Sequence, residues 1–217
     1  MAPIRQGCQW GLANLLPRLE HLSESDRAEQ AAHWARLGQL EHASIAAFAR
    51  FNLQLLALAA PPELVEACTQ ALADETRHAR LCFQLASAYA RQGIAPGPLD
   101  IRLSLGTTLL VDIVDLVIAE GCVGETSAAV EALAAAETAT DPVIADVYAQ
   151  IAGDEQRHAA LAFQFLRWAM QQADAEVRPR IQAALLAMPA TSTARDVVAP
   201  CLRALLRQQP PEAPAIC

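Results

Sequence analysis

The segments DETRHARLCFQ at 74–84 and DEQRHAALAFQ at 154–164 share eight of their eleven letters. Each sets a glutamate and a histidine three residues apart, a spacing that projects both side chains from one face of a helix. A chain that carries this phrase twice either leaves both faces solvated, with Arg77 and Arg157 as local partners, or turns them toward each other inside a helical bundle. Apolar residues interleave with the acidic ones, so the inward arrangement is expected. Buried carboxylates then need a cation or a partner.

Composition agrees with a helical bundle. The chain has 217 residues, 53% of them hydrophobic and only 5% aromatic, enough for one domain with a core. Its abundance of Ala and Leu favours helix over strand, and an all-α protein is expected. There is no lysine among the sixteen basic residues, which excludes Schiff-base chemistry and a phosphate-loop lysine. A net charge of −8 speaks against nucleic acid as a partner. No stretch is apolar enough for a membrane span or a secretory h-region. Six cysteines without a CxxC pair behave as small hydrophobes, and a reducing cytoplasm is the expected setting.

Periodicity and proline punctuation predict four long helices, about 25–60, 62–92, 105–138 and 142–173, then two short ones at 176–188 and 194–208. Pro61-Pro62 makes the first junction short, and Asp141-Pro142 supplies an N-cap and first helical residue to the fourth helix. GIAPGPLDIRLSLG between helices two and three is a long crossover, able to reach roughly 40 Å. Short, long, short is the connectivity of a bundle with one crossover. The expected organisation is an N-terminal segment (1–24), the bundle (25–174), and C-terminal helices with a Pro-rich tail packed on it (175–217).

Two Glu-x-x-His pairs facing inward, with one glutamate from each remaining helix, make a dinuclear carboxylate site. Helix one offers Glu41 on the stripe of Trp34 and Phe48. Helix three offers Glu120 and Glu125. Glu41 precedes Glu75 by 34 residues and Glu120 precedes Glu155 by 35, so matched hairpins select Glu120; Glu125 precedes it by 30. Five residues span about 140° on a regular helix, so Glu125 faces elsewhere unless the helix bulges. Gly121 and Gly124, each unfavourable by about 1 kcal/mol in a helix, point either to a π-bulge that brings Glu125 in as an extra or alternative ligand, or to space cleared for oxygen and substrate.

With these residues the chain resembles the ferritin-like superfamily of di-iron carboxylate proteins, whose pattern is Glu, D-E-x-x-H, Glu, D-E-x-x-H on successive helices. The match covers roughly residues 31–174. The resemblance implies Glu41, Glu75 and His78 around one iron and Glu120, Glu155 and His158 around the other, with Glu75 and Glu155 bridging. It also implies that Asp74 bonds His158 and Asp154 bonds His78, fixing each imidazole. Manganese, or a mixed pair, is compatible with the same ligands.

Residues seven positions from a ligand return to nearly the same face. They place Trp34, Cys82, Ser127 and Tyr148 on one side of the site, and Phe48, Cys68, Ile113 and Ala162 on the other. Tyr148, two turns before Glu155, is the candidate catalytic residue, able to relay an electron or bond a ligand. His21, His33 and His42 are expected to be solvated or locally bonded. The resemblance implies reduction of dioxygen, and the leading expectation is an oxidase or oxygenase of a small organic substrate, served by a reductase and forming a small oligomer such as a homodimer. Iron storage or peroxide removal is the alternative; a manganese catalase and a metal-free scaffold are further ones.

Overall fold

A computed structural model describes residues 4–6, 10, 15–102, 106–189 and 193–208. Helix α1 (Glu24–Ala57) starts at Ser23, whose hydroxyl accepts the Asp26 N–H while the Asp26 carboxylate accepts the Ser23 N–H, a reciprocal cap. Helix α2 (Pro62–Ala90) follows after Ala59 turns through a positive φ of 51°, with Pro62 in its first turn. A third rod runs unbroken through α3 (Leu110–Leu116), a π segment (Val117–Glu125) and α4 (Thr126–Thr138). Helix α5 (Pro142–Ala187) is capped by the Asp141 carboxylate accepting the Val143 N–H. It breaks at Ala173, where the backbone leaves helical space (φ −151°, ψ 60°), the point at which helix four was expected to end. Helix α6 (Thr193–Leu206) completes the described chain.

Two features differ from the sequence reading. The third rod begins at Leu110 rather than 105, because the Thr107 hydroxyl accepts the Leu109 N–H and donates to the Asp112 carboxylate, holding Leu109 extended. A two-stranded antiparallel ribbon, β1 (Ile4–Gln6) with β2 (Ile94–Pro96), ties the chain's beginning to the crossover. The regular structure among the described residues is otherwise all-helical. The Pro-rich tail lies outside the described residues.

Helix α1 packs along α2 and α4 along α5, while α2 and α5 join the two hairpins. Two apolar clusters result. One gathers Phe48, Cys68, Ile113, Ala162 and Phe165 with Val198, Leu202 and Leu205 of α6; the other gathers Trp34, Cys82, Leu85 and Ile151, with Tyr148 partly buried against it. These groupings place seven of the eight flanking residues on the expected sides, and the eighth, Ser127, turns its hydroxyl to the Val123 carbonyl. No helix among the described residues is long and apolar enough to cross a membrane.

Candidate metal centre

Between the two clusters, Asp74, Glu75, His78, Asp154, Glu155 and His158 are all buried. The two D-E-x-x-H phrases face each other across the α2–α5 contact. Ligand atoms of Glu41, Glu75, His78 and Glu155 lie within 4.8 Å of one another, as do those of Glu75, Glu125, Glu155 and His158. Glu75 and Glu155 belong to both groups, the position of ligands able to serve two ions at once.

The imidazoles are oriented alike. His78 turns Nε2 to Asp154 at 2.8 Å and Nδ1 to Glu155 and Glu41 at 3.3 and 3.6 Å. His158 turns Nε2 to Asp74 at 3.4 Å and Nδ1 to Glu75, Glu155 and Glu125 at 3.2, 3.2 and 3.4 Å. Each aspartate sits on the opposite helix from its histidine. Arg77 spans Asp74 and Asp154, and Arg157 spans the same two carboxylates, closing a ring of interhelical ion pairs behind the imidazoles. An Nε2 held by a carboxylate leaves Nδ1 as the free electron pair, which is how an outer partner fixes a metal-binding tautomer.

Both Glu75 oxygens and His78 Nδ1 are buried without a hydrogen bond. Of the Glu75 oxygens, Oε1 lies at ion-pair distance from both imidazoles, 3.2 Å from His158 Nδ1 and 3.9 Å from His78 Nδ1, but not in bonding geometry. Buried polar atoms of this kind are each unfavourable by about 1–3 kcal/mol, and an ion is one of the few things that explains several together. Four carboxylates and two imidazoles form a hard N/O donor set suited to two divalent ions of the iron or manganese type.

Without a cation the cluster has to hold protons. Burial raises Glu75, and neighbouring Glu41 and Glu155 add to this against the opposing pull of the nearby His158 imidazole, taking it to about 8. Burial likewise raises Glu125. Burial alone would lower the histidines, but Glu155 and Glu41 lift His78 to about 10, and Glu125, Glu155 and Glu75 lift His158 to about 12. Glu155, although burial opposes it, is held below the usual carboxylate range by both imidazoles. Folded values above unfolded ones mean that the native state binds more protons, so its stability falls as pH rises through that interval. Glu75 contributes from about 4.5 to 8 and the histidines from about 6.5 upward. Thermal denaturation in chelator is therefore expected to show a melting temperature that declines from pH 5 to 9, and saturating divalent metal reverses the trend. A flat profile in chelator would contradict the protonated cluster.

Glu120, favoured from sequence over Glu125, is not in either group. Its side chain is 49% exposed and paired with Arg50 of α1. The reason is the π segment. In a π-helix the bond runs from i+5 to i, and the widened turn carries Glu125 round beneath Glu120 instead of 140° away. Gly121 permits it, because a Cβ there would stand 2.6 Å from the Ala162 Cβ of α5. Gly121→Ala is expected to lower stability by roughly 1–2 kcal/mol in urea denaturation despite alanine's better helix propensity. Ala162→Gly in the same chain restores part of the loss; a stabilised single variant would show that the close approach is unimportant.

Two cavities reach the cluster. A cleft of about 810 Å³ opens between α1 (Leu37, Ala43, Ser44, Ala47) and the π segment with α4 (Gly124, Ala128, Ala132, Ala135), with Glu41, Glu75, Glu125 and Glu155 on its wall. A recess of about 40 Å³ between Phe48, Phe51, Leu116 and Leu161 touches Glu125 and His158 from the other side. Tyr148 lines the cleft and contacts His33, whose Nε2 is 2.8 Å from the phenol oxygen. His33 keeps the local bond expected of it, to Arg36 at 3.4 Å, and is also bonded across the bundle, because α1 and α5 bring it and Tyr148 to one end of the cleft. His42 instead packs edge-on against Trp10 at 5.6 Å. Arg50, on α1, escaped the sequence reading; no spacing in α1 marks a partner on the third rod.

Comparison of the chain with protein-family models, curated proteins and solved structures returned no match.

Proposed function

We propose that this chain is a dinuclear iron protein of the ferritin-like kind that uses dioxygen to oxidise a small organic substrate. The observation that carries this reading is the cleft of about 810 Å³ on whose wall four carboxylates of the cluster lie. That volume falls in the range of small-molecule sites, and Ala43, Ala46 and Ala47 on one wall face Gly124, Ala128, Ala132 and Ala135 on the other, small side chains that leave room for a ligand body.

Each residue has a task under this reading. Glu41, Glu75 and His78 would hold one ion and Glu125, Glu155 and His158 the other, with Glu75 and Glu155 in reach of both. Two ferrous ions held there would supply electrons for the reduction of dioxygen. Asp74 and Asp154 keep Nδ1 of each imidazole aimed inward; although burial opposes it, Gln70 with Arg77 keeps Asp74 ionised, and His78 with Arg77 and Arg157 keeps Asp154 ionised. Phe48, Phe51 and Leu161 give the small recess a mainly apolar wall, and its size suits a diatomic gas. Dioxygen, the organic substrate and an electron-donating reductase are the partners this requires.

Asp100, Glu120 and Glu131 along the cleft favour a second reading, iron entry for a ferroxidase or storage protein. Anaerobic ferrous loading followed by air in a stopped-flow absorbance cell separates the two. Two irons per chain with a transient visible band supports the oxidase; continued uptake to many irons supports storage. No specific uptake of iron or manganese would overturn both.

A further inference from the structure

We infer that the cleft takes a substrate carrying a hydrogen-bond acceptor, a carbonyl or carboxylate oxygen, which the Tyr148 hydroxyl binds at the His33 end while the body of the substrate reaches back to the metal wall. This rests on the cleft being a substrate cavity.

The direction of the proton follows from Arg36. Its guanidinium lies 3.4 Å from His33 Nδ1, and arginine only donates. Nδ1 is therefore the lone-pair nitrogen, and neutral His33 carries its proton on Nε2. That N–H donates to the Tyr148 oxygen at 2.8 Å. The phenol's own O–H remains unspent. Burial, with Arg36 adding to it, keeps His33 neutral by lowering its pKa, and burial pushes the Tyr148 phenol up to about 12, so the donor stays protonated. The ring cannot swing away: it packs on Trp34 at a centroid distance of 4.9 Å, and Trp34 in turn meets His33 edge-on at 5.5 Å. What remains to the hydroxyl is the cleft, which both Tyr148 and His33 line.

The register sets the ligand's length. Tyr148 precedes Glu155 by seven residues on α5, about 10 Å along the axis. His33 precedes Glu41 by eight on α1, nearly the same depth. Between the two levels Leu37, Ala132 and Ile151 give the cleft a small or apolar strip, with Glu131 beside Ala132 on α4. A fitting ligand is elongated and apolar in the middle, with its acceptor about 10 Å from the atom to be oxidised. His33 acts through Tyr148 and is a positioning residue.

The chain has only two tyrosines, Tyr89 and Tyr148, so protein labelled with 3-fluorotyrosine gives two fluorine signals that Tyr148→Phe assigns. The probes are 4-acetylbiphenyl and its hydrocarbon counterpart 4-ethylbiphenyl, alike in shape but differing in the acceptor. The ketone is expected to bind about fivefold more tightly, the range of one net hydrogen bond, and to move the Tyr148 signal without moving that of Tyr89. Tyr148→Phe brings the two probes within about twofold of each other. His33→Gln, which keeps a side-chain N–H, retains the preference, while His33→Leu weakens it. Nitrogen chemical shifts of His33 are expected to report the Nε2–H form. Equal binding of the probes, failure of both to bind, a preference that survives in Tyr148→Phe, or an Nδ1–H tautomer would each overturn the inference. Probe binding needs no iron, so a protein that prefers the ketone but takes up no metal would sink the oxidase reading alone.

Discussion

Glu75→Leu is expected to abolish uptake of two divalent ions and, at the same time, to make the metal-free protein more stable. The two effects have one cause. Glu75 is 1% exposed, neither of its oxygens is hydrogen-bonded, and it is the carboxylate common to both ligand groups together with Glu155. Removing it takes a shared ligand from both ions, and a loss of at least about 100-fold in affinity follows, since even outer partners of a metal are worth 10–100-fold. Leucine of similar shape replaces an orphaned carboxyl group, which relieves a penalty on the order of 1–3 kcal/mol. For a chain of this size that is a rise of a few degrees in melting temperature. Metal analysis after ferrous loading and denaturation in chelator read the two effects separately. A variant that loses stability while still holding two ions would make Glu75 a structural residue and dissolve the argument for the centre.

The second large effect divides the two glutamates of the third rod. Glu125→Gln is expected to reduce uptake from two ions per chain to one, with affinity for the second falling at least about tenfold. Glu120→Gln leaves uptake within about twofold, and loses only its partly exposed ion pair with Arg50, about 1 kcal/mol or less. Isothermal titration with ferrous ion under argon gives both numbers. Should Glu120→Gln be the variant that loses an ion, the π segment would not set the register of the ligands.

Much of the helical core and of the candidate ligand set was legible in the chain. The two D-E-x-x-H phrases carry their own geometry, because three residues on a helix is a fixed angle whatever surrounds it. Prolines at 62 and 142 marked helix starts by steric rules that act within a few residues. Counting sevens from each ligand grouped Trp34 with Tyr148, and Phe48 with Ala162, since these positions repeat a face.

What the spacing did not supply has a different origin. Equal hairpin lengths favoured Glu120, and that count assumes a regular helix; whether Gly121 and Gly124 relax into a π turn depends on what they pack against. Ala162 on α5 makes the close approach possible, and it lies 41 residues away from Gly121 in the chain. The partners Arg50 with Glu120 and His33 with Tyr148 are likewise 70 and 115 residues apart. Sequence by itself determined the helices, their amphipathic faces and the pairing of carboxylate with imidazole, because these follow from backbone periodicity. Only the tertiary structure decided which glutamate of the third rod faces the cluster, where the cleft opens and what holds Tyr148, because those depend on side chains that meet only when the helices pack.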